Sequence, residues 1–314
     1  MKLALAAVQL EIDADVVATG DAYRAHIETA ARAAMDEVEK GGAWDHGLLV
    51  FPELAGHLAL LALAPPAAHK AKSVAAALAA ASIRRPLDVL RGVVTTRLLD
   101  PRHAVMAALA PDAERYWRGI FGPLARAHRM HVSSGSHLRL GSNGELTSSS
   151  FTFAPDGRLL ATTSKVNLVP GVEDRARGGL GLARGDAEGL PIVETPFGKL
   201  ATLIGYDAAP EPITELERFI PLPPRLVRRG GVTVVANPES DRRGVKGHRA
   251  GLGVAMGDAP FARWGVTAHL VGEVLDLAVG ARSEILERTA TGTRILALAD
   301  SDERGASVTT TVTL

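Results

Sequence analysis

Cysteine is absent from all 314 residues, which excludes disulfides, thiolate metal sites and cysteine nucleophiles together. An excess of either charge is lacking as well. Thirty-five Lys and Arg balance 35 Asp and Glu, so no basic surface argues for nucleic acid or an anionic membrane. Long hydrophobic runs are missing too. The stretch from Leu54 to Ala68 is apolar and uncharged, but it is too short to span a bilayer and contains Pro65-Pro66. Met1 to Leu10 begins with a lysine and an apolar run, yet Gln9 interrupts it and Glu11 and Asp13 follow. It reads as a first strand rather than a signal peptide. Aromatics are few at 4%, in an otherwise ordinary composition. A soluble, cytoplasmic protein is expected.

What is present reads as strands alternating with helices. Leu3 to Leu10 predicts a strand. Asp21 to Lys40 predicts an amphipathic helix, with Tyr23, Ile27, Ala31, Ala34, Met35 and Val38 at helical spacing and Gly41-Gly42 as its stop. Gly47 to Phe51 is a short continuous apolar run, as expected of a strand buried on both faces. Residues 57–118 are Ala-rich, partly helical in character, and read as an insertion. Beyond them a helix is predicted over Phe121 to His128 and a strand over His131 to His137. SSSFTFAPDGRLLATTSK predicts a hairpin across Pro-Asp-Gly, and PIVET with LATLI predicts another. A further helix, the strand Val232 to Asn237, a helix before Trp264 and the strands GVTAHLVG and RILALAD complete the pattern. Hairpins mixed with helical crossovers imply mixed sheets covered by helices, in one domain over 1–314.

Three strand ends stand out because a rigid sheet can hold side chains there. LLVFPE places Glu53 just past a buried strand. TTSKVNL places Lys165 at the end of a hairpin. LATLIGYDAAPEP is a buried strand that breaks at Gly205 and is expected to turn into a helix. Taken singly, each has a plain reading: a solvated turn glutamate, a surface lysine, a glycine in a turn. His128, His131 and His137 lie close in sequence but straddle a helix-to-strand boundary with no carboxylate between them, so they read as surface or core residues, not metal ligands. Arg228-Arg229 and Arg242-Arg243 read as solvated charge or interface salt-bridge partners, and Glu215 to Arg218 as helical surface charge.

In order and spacing, however, AAVQL, LVFPEL, SSGSH, FTFAPDGRLL with SKVNLVPGVE, TPFGKLATLIGYDAAPEP, VTVVANP, WGVTAHLVG and GARSEIL together resemble the nitrilase (carbon–nitrogen hydrolase) superfamily over nearly the whole chain. The Ala-rich section resembles it least. The resemblance implies an α/β (α+β) fold, a four-layer α-β-β-α sandwich, and association into a homodimer or higher homo-oligomer. It implies a site made of Glu53 as general base, Lys165 and the Tyr206 backbone N–H as oxyanion donors, and Glu173 orienting the lysine or the substrate. No cofactor and no metal are implied. The family's nucleophilic cysteine falls at Gly205, flanked by Ile204 and Tyr206. A second departure is that only Ala208-Ala209 separate Asp207 from Pro210, where the family often has an Arg-Phe pair.

Losing the nucleophile of a covalent hydrolase costs on the order of 10⁶-fold in turnover. The expectation is therefore a catalytically impaired member that binds a small amide-, nitrile- or carboxylate-like molecule or a protein partner. The alternatives are a hydrolase using a Glu53-activated water, in the space left by the thiol, and a replaced residue in an otherwise active enzyme.

Overall fold

The computed structural model describes residues 1–64, 68–174, 179–214, 218–241 and 251–314. Pro65-Pro66, residues 215–217 and Arg242-Arg243 lie outside them.

Strand β1 (Lys2–Ile12) shows how the sequence builds the layers. Leu3, Leu5 and Ala7 point into one apolar core and Ala4, Ala6 and Val8 into another. Period-2 alternation thus buries both faces, which is why the run reads as continuously apolar. β1 pairs in parallel with β2 (His46–Val50) and antiparallel with β13 (Ala306–Thr313). β2 pairs with β3 (His131–Leu140), and β3 continues antiparallel through β4 (Leu146–Phe153) to β5 (Leu159–Ser164).

A second sheet runs from β6 (Ile192–Thr195) through β7 (Gly198–Thr202), β8 (Val232–Glu239) and β9 (Ala262–Val274). It continues to β11 (Glu284–Thr289) and β12 (Gly292–Leu298), and β10 (Leu277–Val279) adds a short pairing to β9. The far end of β1, Leu10 to Ile12, pairs with Leu270 to Gly272 of β9 and stitches the two into one 13-stranded sheet.

Three cores separate four layers. Between the sheets lie Leu48, Val50, Leu200, Val234, Trp264 and Val266 with the inward residues of β1. Outside the first sheet, α1 (Gly20–Lys40) and α5 (Pro101–His128) bury Tyr23, Ile27, Trp117 and Phe121. Outside the second, α6 (Leu222–Arg228) and α7 (Leu252–Asp258) bury Leu222, Leu226, Leu252 and Met256. This is the α-β-β-α sandwich.

The structure departs from the sequence reading in several places. The helix expected over Phe121 to His128 is only the last part of the 28-residue α5, which starts at Pro101. The Ala-rich section forms α2 (Ala55–Ala62), α3 (Val74–Arg84) and α4 (Pro86–Thr96) and runs into this helix. α4 lies against α5 through Gly92, where a Cβ would fall 2.0 Å from the Ala104 carbonyl oxygen. β10, β11 and β13 carry little apolar alternation of their own and were not expected. β13, rich in threonine, is defined by its pairing to β1 rather than by its composition. After β7 the chain makes a single 3-10 turn, Gly205–Ala208, rather than a helix. Asp207 lies in this turn and ties it by hydrogen bonds to the residues after Lys165.

Candidate active site

β2 ends at Val50, and two of the next three residues are clamped to other strands. The Phe51 N–H donates to the Ser133 carbonyl and the Glu53 N–H to the Glu239 carbonyl. Leu54, with a left-handed φ of 64°, turns the chain into α2, and its N–H donates to Ser136 Oγ at 2.9 Å. The approach of β3 to this link depends on Gly135. It sits at φ +73° in a register shift of β3, and a Cβ there would lie 2.2 Å from the Pro52 carbonyl oxygen. Glu53 is thereby held at the ends of β2 and β8.

Lys165 directly follows β5, with its N–H on the Ser148 carbonyl. Glu173 folds back over the same loop, its Oε2 accepting the Val169 N–H at 2.7 Å. The lysine Nζ lies 2.7 Å from Glu53 Oε1 and 2.8 Å from Glu173 Oε2. All three residues are at most 5% exposed. Side chains 112 and 8 residues apart in sequence thus meet as one buried ionic cluster.

Gly205 opens the 3-10 turn beside this cluster at φ +51°. A Cβ built on it would lie 2.3 Å from Glu53 Oε2 and 2.9 Å from Glu53 Cδ. The Glu53 carboxylate therefore fills the space that any side chain at 205 would need. Tyr206 follows in the same turn, buried, its carbonyl accepting the Ala209 N–H and its phenol oxygen accepting the Ile213 N–H.

The sequence profile of the carbon-nitrogen hydrolase family matches residues 4–209, a span containing every residue of this cluster. The chain belongs to the carbon-nitrogen hydrolase family. Solved structures agree at the level of the fold. A carbon-nitrogen hydrolase from Helicobacter pylori G27 superposes with a TM-score of 0.63 at 12% identity, covering 99% of this chain and 88% of that one. Nit3 of Saccharomyces cerevisiae, a member of branch 10 of the nitrilase superfamily, gives 0.59 at 16%, covering 99% and 89%. An amidase from Nesterenkonia sp. AN1, seen after Michael addition of acrylamide at its active site cysteine, gives 0.56 at 16%, covering 98% and 92%. No curated protein matches the sequence.

Within this member of the carbon-nitrogen hydrolase family, Asp207 is a buried residue to which sequence reasoning gave no role. Its carboxylate accepts the Val166 N–H at 3.1 Å and the Asn167 N–H at 2.7 Å, pinning the backbone just after Lys165 to the turn that carries Gly205. The GYD triplet was visible in the sequence. An aspartate three residues past a strand gave no sign that it would be fully buried against a loop 40 residues away.

Charge and burial set the ionisation of the cluster. Burial raises Glu53 against the pull of Lys165, and the carboxyl is pushed up to about 7. Burial likewise raises Asp207 to about 7 despite its backbone hydrogen bonds. For Lys165 burial works downward, but the charges of Glu173 and Glu53 outweigh it and hold the ammonium above its ordinary range.

His137 lies tilted against the Phe151 ring at 4.2 Å, His131 meets Phe197 edge-on at 5.1 Å, and His128 ends α5 half-buried. Among the described residues no three His, Asp or Glu side chains group as metal ligands. Among the same residues, no helix is long and apolar enough to cross a membrane.

Burial lowers His57 to about 3 and His131 and His269 to about 4, and holds His137 well below its ordinary value. These groups set a pH profile whose sign can be worked out. A histidine with a lowered folded pKa supports the fold above its unfolded value near 6.5, and that support is lost as pH falls. A carboxyl with a raised folded pKa does the opposite: its contribution is present below about 4 and is lost as pH rises through 7. Burial also raises Glu239 and Glu284, so four strongly lowered histidines face four raised carboxyls and the two sets largely offset each other on the acid side. Thermal unfolding should therefore show a midpoint that changes little between pH 5 and pH 6.5 and declines toward pH 8 as the carboxyls finish ionising. Glu53→Gln removes one opposing group, so it should flatten the alkaline decline and let the histidines pull the midpoint down toward pH 5.

Proposed function

We propose that this chain is a carbon-nitrogen hydrolase that has given up covalent catalysis, with Gly205 standing where the nucleophile of active members stands. The observation that carries this reading is the Glu53 carboxylate, 2.3 Å from where a Cβ at 205 would fall. A covalent mechanism needs an attacking atom that forms a bond to the amide or nitrile carbon. The Nesterenkonia amidase presents a cysteine for such addition. Here no cysteine exists in the chain, and the place for one is filled by the group that would have to act as its base. Thr202, the hydroxyl on β7 three residues earlier, is hydrogen-bonded to Thr152 at 3.4 Å.

The remaining parts suit binding better than turnover. Glu53, Lys165 and Glu173 satisfy one another in a closed cluster, which holds three loops together. The function we propose is recognition of a small amide-, nitrile- or carboxylate-like molecule or a protein partner, without hydrolysis of it.

One observation favours a second reading, a water nucleophile. A Glu53 carboxyl near 7 is poised for general base work at neutral pH. The two readings separate in one experiment. Incubation with nitriles, simple amides and carbamoyl compounds should give no product above the uncatalysed rate. Steady turnover by the parent that disappears in Glu53→Gln would replace the binding reading with the water-nucleophile enzyme.

A further inference from the structure

At the opposite end of the second sheet, where β7, β8 and β9 begin at Gly198, Val232 and Ala262, an open groove of about 600 Å³ is lined by three cations: Lys199, Arg263 and Arg288. Glu194 is the one acid among its described lining residues. We propose that this groove binds a small multivalent anion, a phosphate ester or a polycarboxylate, independently of the cluster around Gly205.

The argument starts from the register of the strands. Glu287 of β11 lies opposite Trp264 of β9. One step further along this antiparallel pairing come Arg288 and Arg263, on neighbouring strands, and both line the groove. Like charges placed so are unfavourable unless something between them carries the opposite charge. Neither is neutralised by a carboxylate among the described residues. Arg263 lies over the Trp264 ring at 4.0 Å and reaches the Thr313 carbonyl at 3.4 Å. Arg288 has its Nε buried without a hydrogen-bond partner, and neither arginine forms an ion pair with a carboxylate among the described residues. An orphaned buried guanidinium N–H is costly, and an acceptor in the groove would remove that cost.

The third cation comes from the hairpin on the other side. Lys199 faces Glu194 across the β6–β7 pairing but makes no ion pair with it, and its backbone N–H is held by Thr233 Oγ1 at 3.1 Å. Its ammonium is therefore available to a ligand. The groove has the volume of a small-molecule site, and its walls are strand starts, which are rigid. A fork of two arginines with a nearby lysine matches the oxygens of a phosphate or a pair of carboxylates.

The test uses the full chain with inorganic pyrophosphate and citrate as probes, at ionic strength held constant with sodium chloride. Calorimetric titration should show saturable binding of at least one of the two. Arg288→Gln and Lys199→Ala, made separately, should each weaken it by about tenfold or more, the loss of one charge-assisted contact. Glu194→Gln should tighten it. Lys199→Ala guards against a folding defect in the arginine variant, because it changes only a half-buried side chain on the hairpin. Absence of saturable binding by either anion, or binding of equal strength in the parent and both cation variants, would overturn the proposal.

Discussion

Gly205→Cys should be less stable than the parent by roughly 2–4 kcal/mol, and Gly205→Ala should lose nearly as much. Two costs combine. A left-handed φ costs a residue with a Cβ about 1–2 kcal/mol relative to glycine, and Gly205 sits at φ +51°. The new Cβ must also displace the Glu53 carboxylate, now 2.3 Å from its position. That oxygen is the far end of a flexible side chain, which would make the move cheap in an open site. Here the carboxylate is buried and held by Lys165 at 2.7 Å, so moving it disturbs an ion pair that water does not replace. The alanine variant isolates this steric effect, and the cysteine variant adds the missing chemistry. Urea unfolding measures the first. Mass spectrometry after incubation with small amides measures the second, with an acyl adduct expected on the introduced thiol and nowhere in the parent. A Gly205→Ala protein as stable as the parent would mean that Glu53 is free to move and does not close the site.

Much of this was legible in the sequence because the informative residues sit at strand ends. Glu53 after GLLVF and Lys165 after LLATTS follow the exits of β2 and β5, where local pattern and pocket geometry coincide. Their meeting across 112 residues was not legible from periodicity, and it came from the order of motifs that the carbon-nitrogen hydrolase family shares. What the sequence hid has a common physical character: contacts made by groups with no pattern of their own. β13 is a strand because β1 offers it an unpaired edge. The turn after β7 stays a 3-10 turn where a helix was expected, and Asp207 within it accepts backbone N–H groups from the lysine loop. The filling of the space beside Gly205 by the Glu53 carboxylate depends on a side-chain rotamer, which no string of letters encodes.

Lys165→Met should be the most damaging single substitution in the molecule outside the hydrophobic cores, costing about 3–5 kcal/mol. The reasoning is one of charge left behind. Lys165 is 1% exposed and is the only cation within ion-pair distance of Glu53 and Glu173 among the described residues. Methionine fills nearly the same volume, so little of the loss would come from packing. Two buried carboxylates without a counter-charge must each take up a proton or draw water into the site, and either response weakens the fold. The cost should therefore fall as pH is lowered from 8 to 5, because the protonated carboxyls no longer need the ammonium. Adding Glu53→Gln and Glu173→Gln to the methionine variant should recover a large part of the stability, since replacing a whole buried ionic group by neutral side chains of similar shape is often close to neutral. Chemical denaturation of the single and triple variants at both pH values gives the answer. A single variant that loses under about 1 kcal/mol at pH 8, the range of a solvated surface pair, would mean that water reaches the cluster and screens its charges.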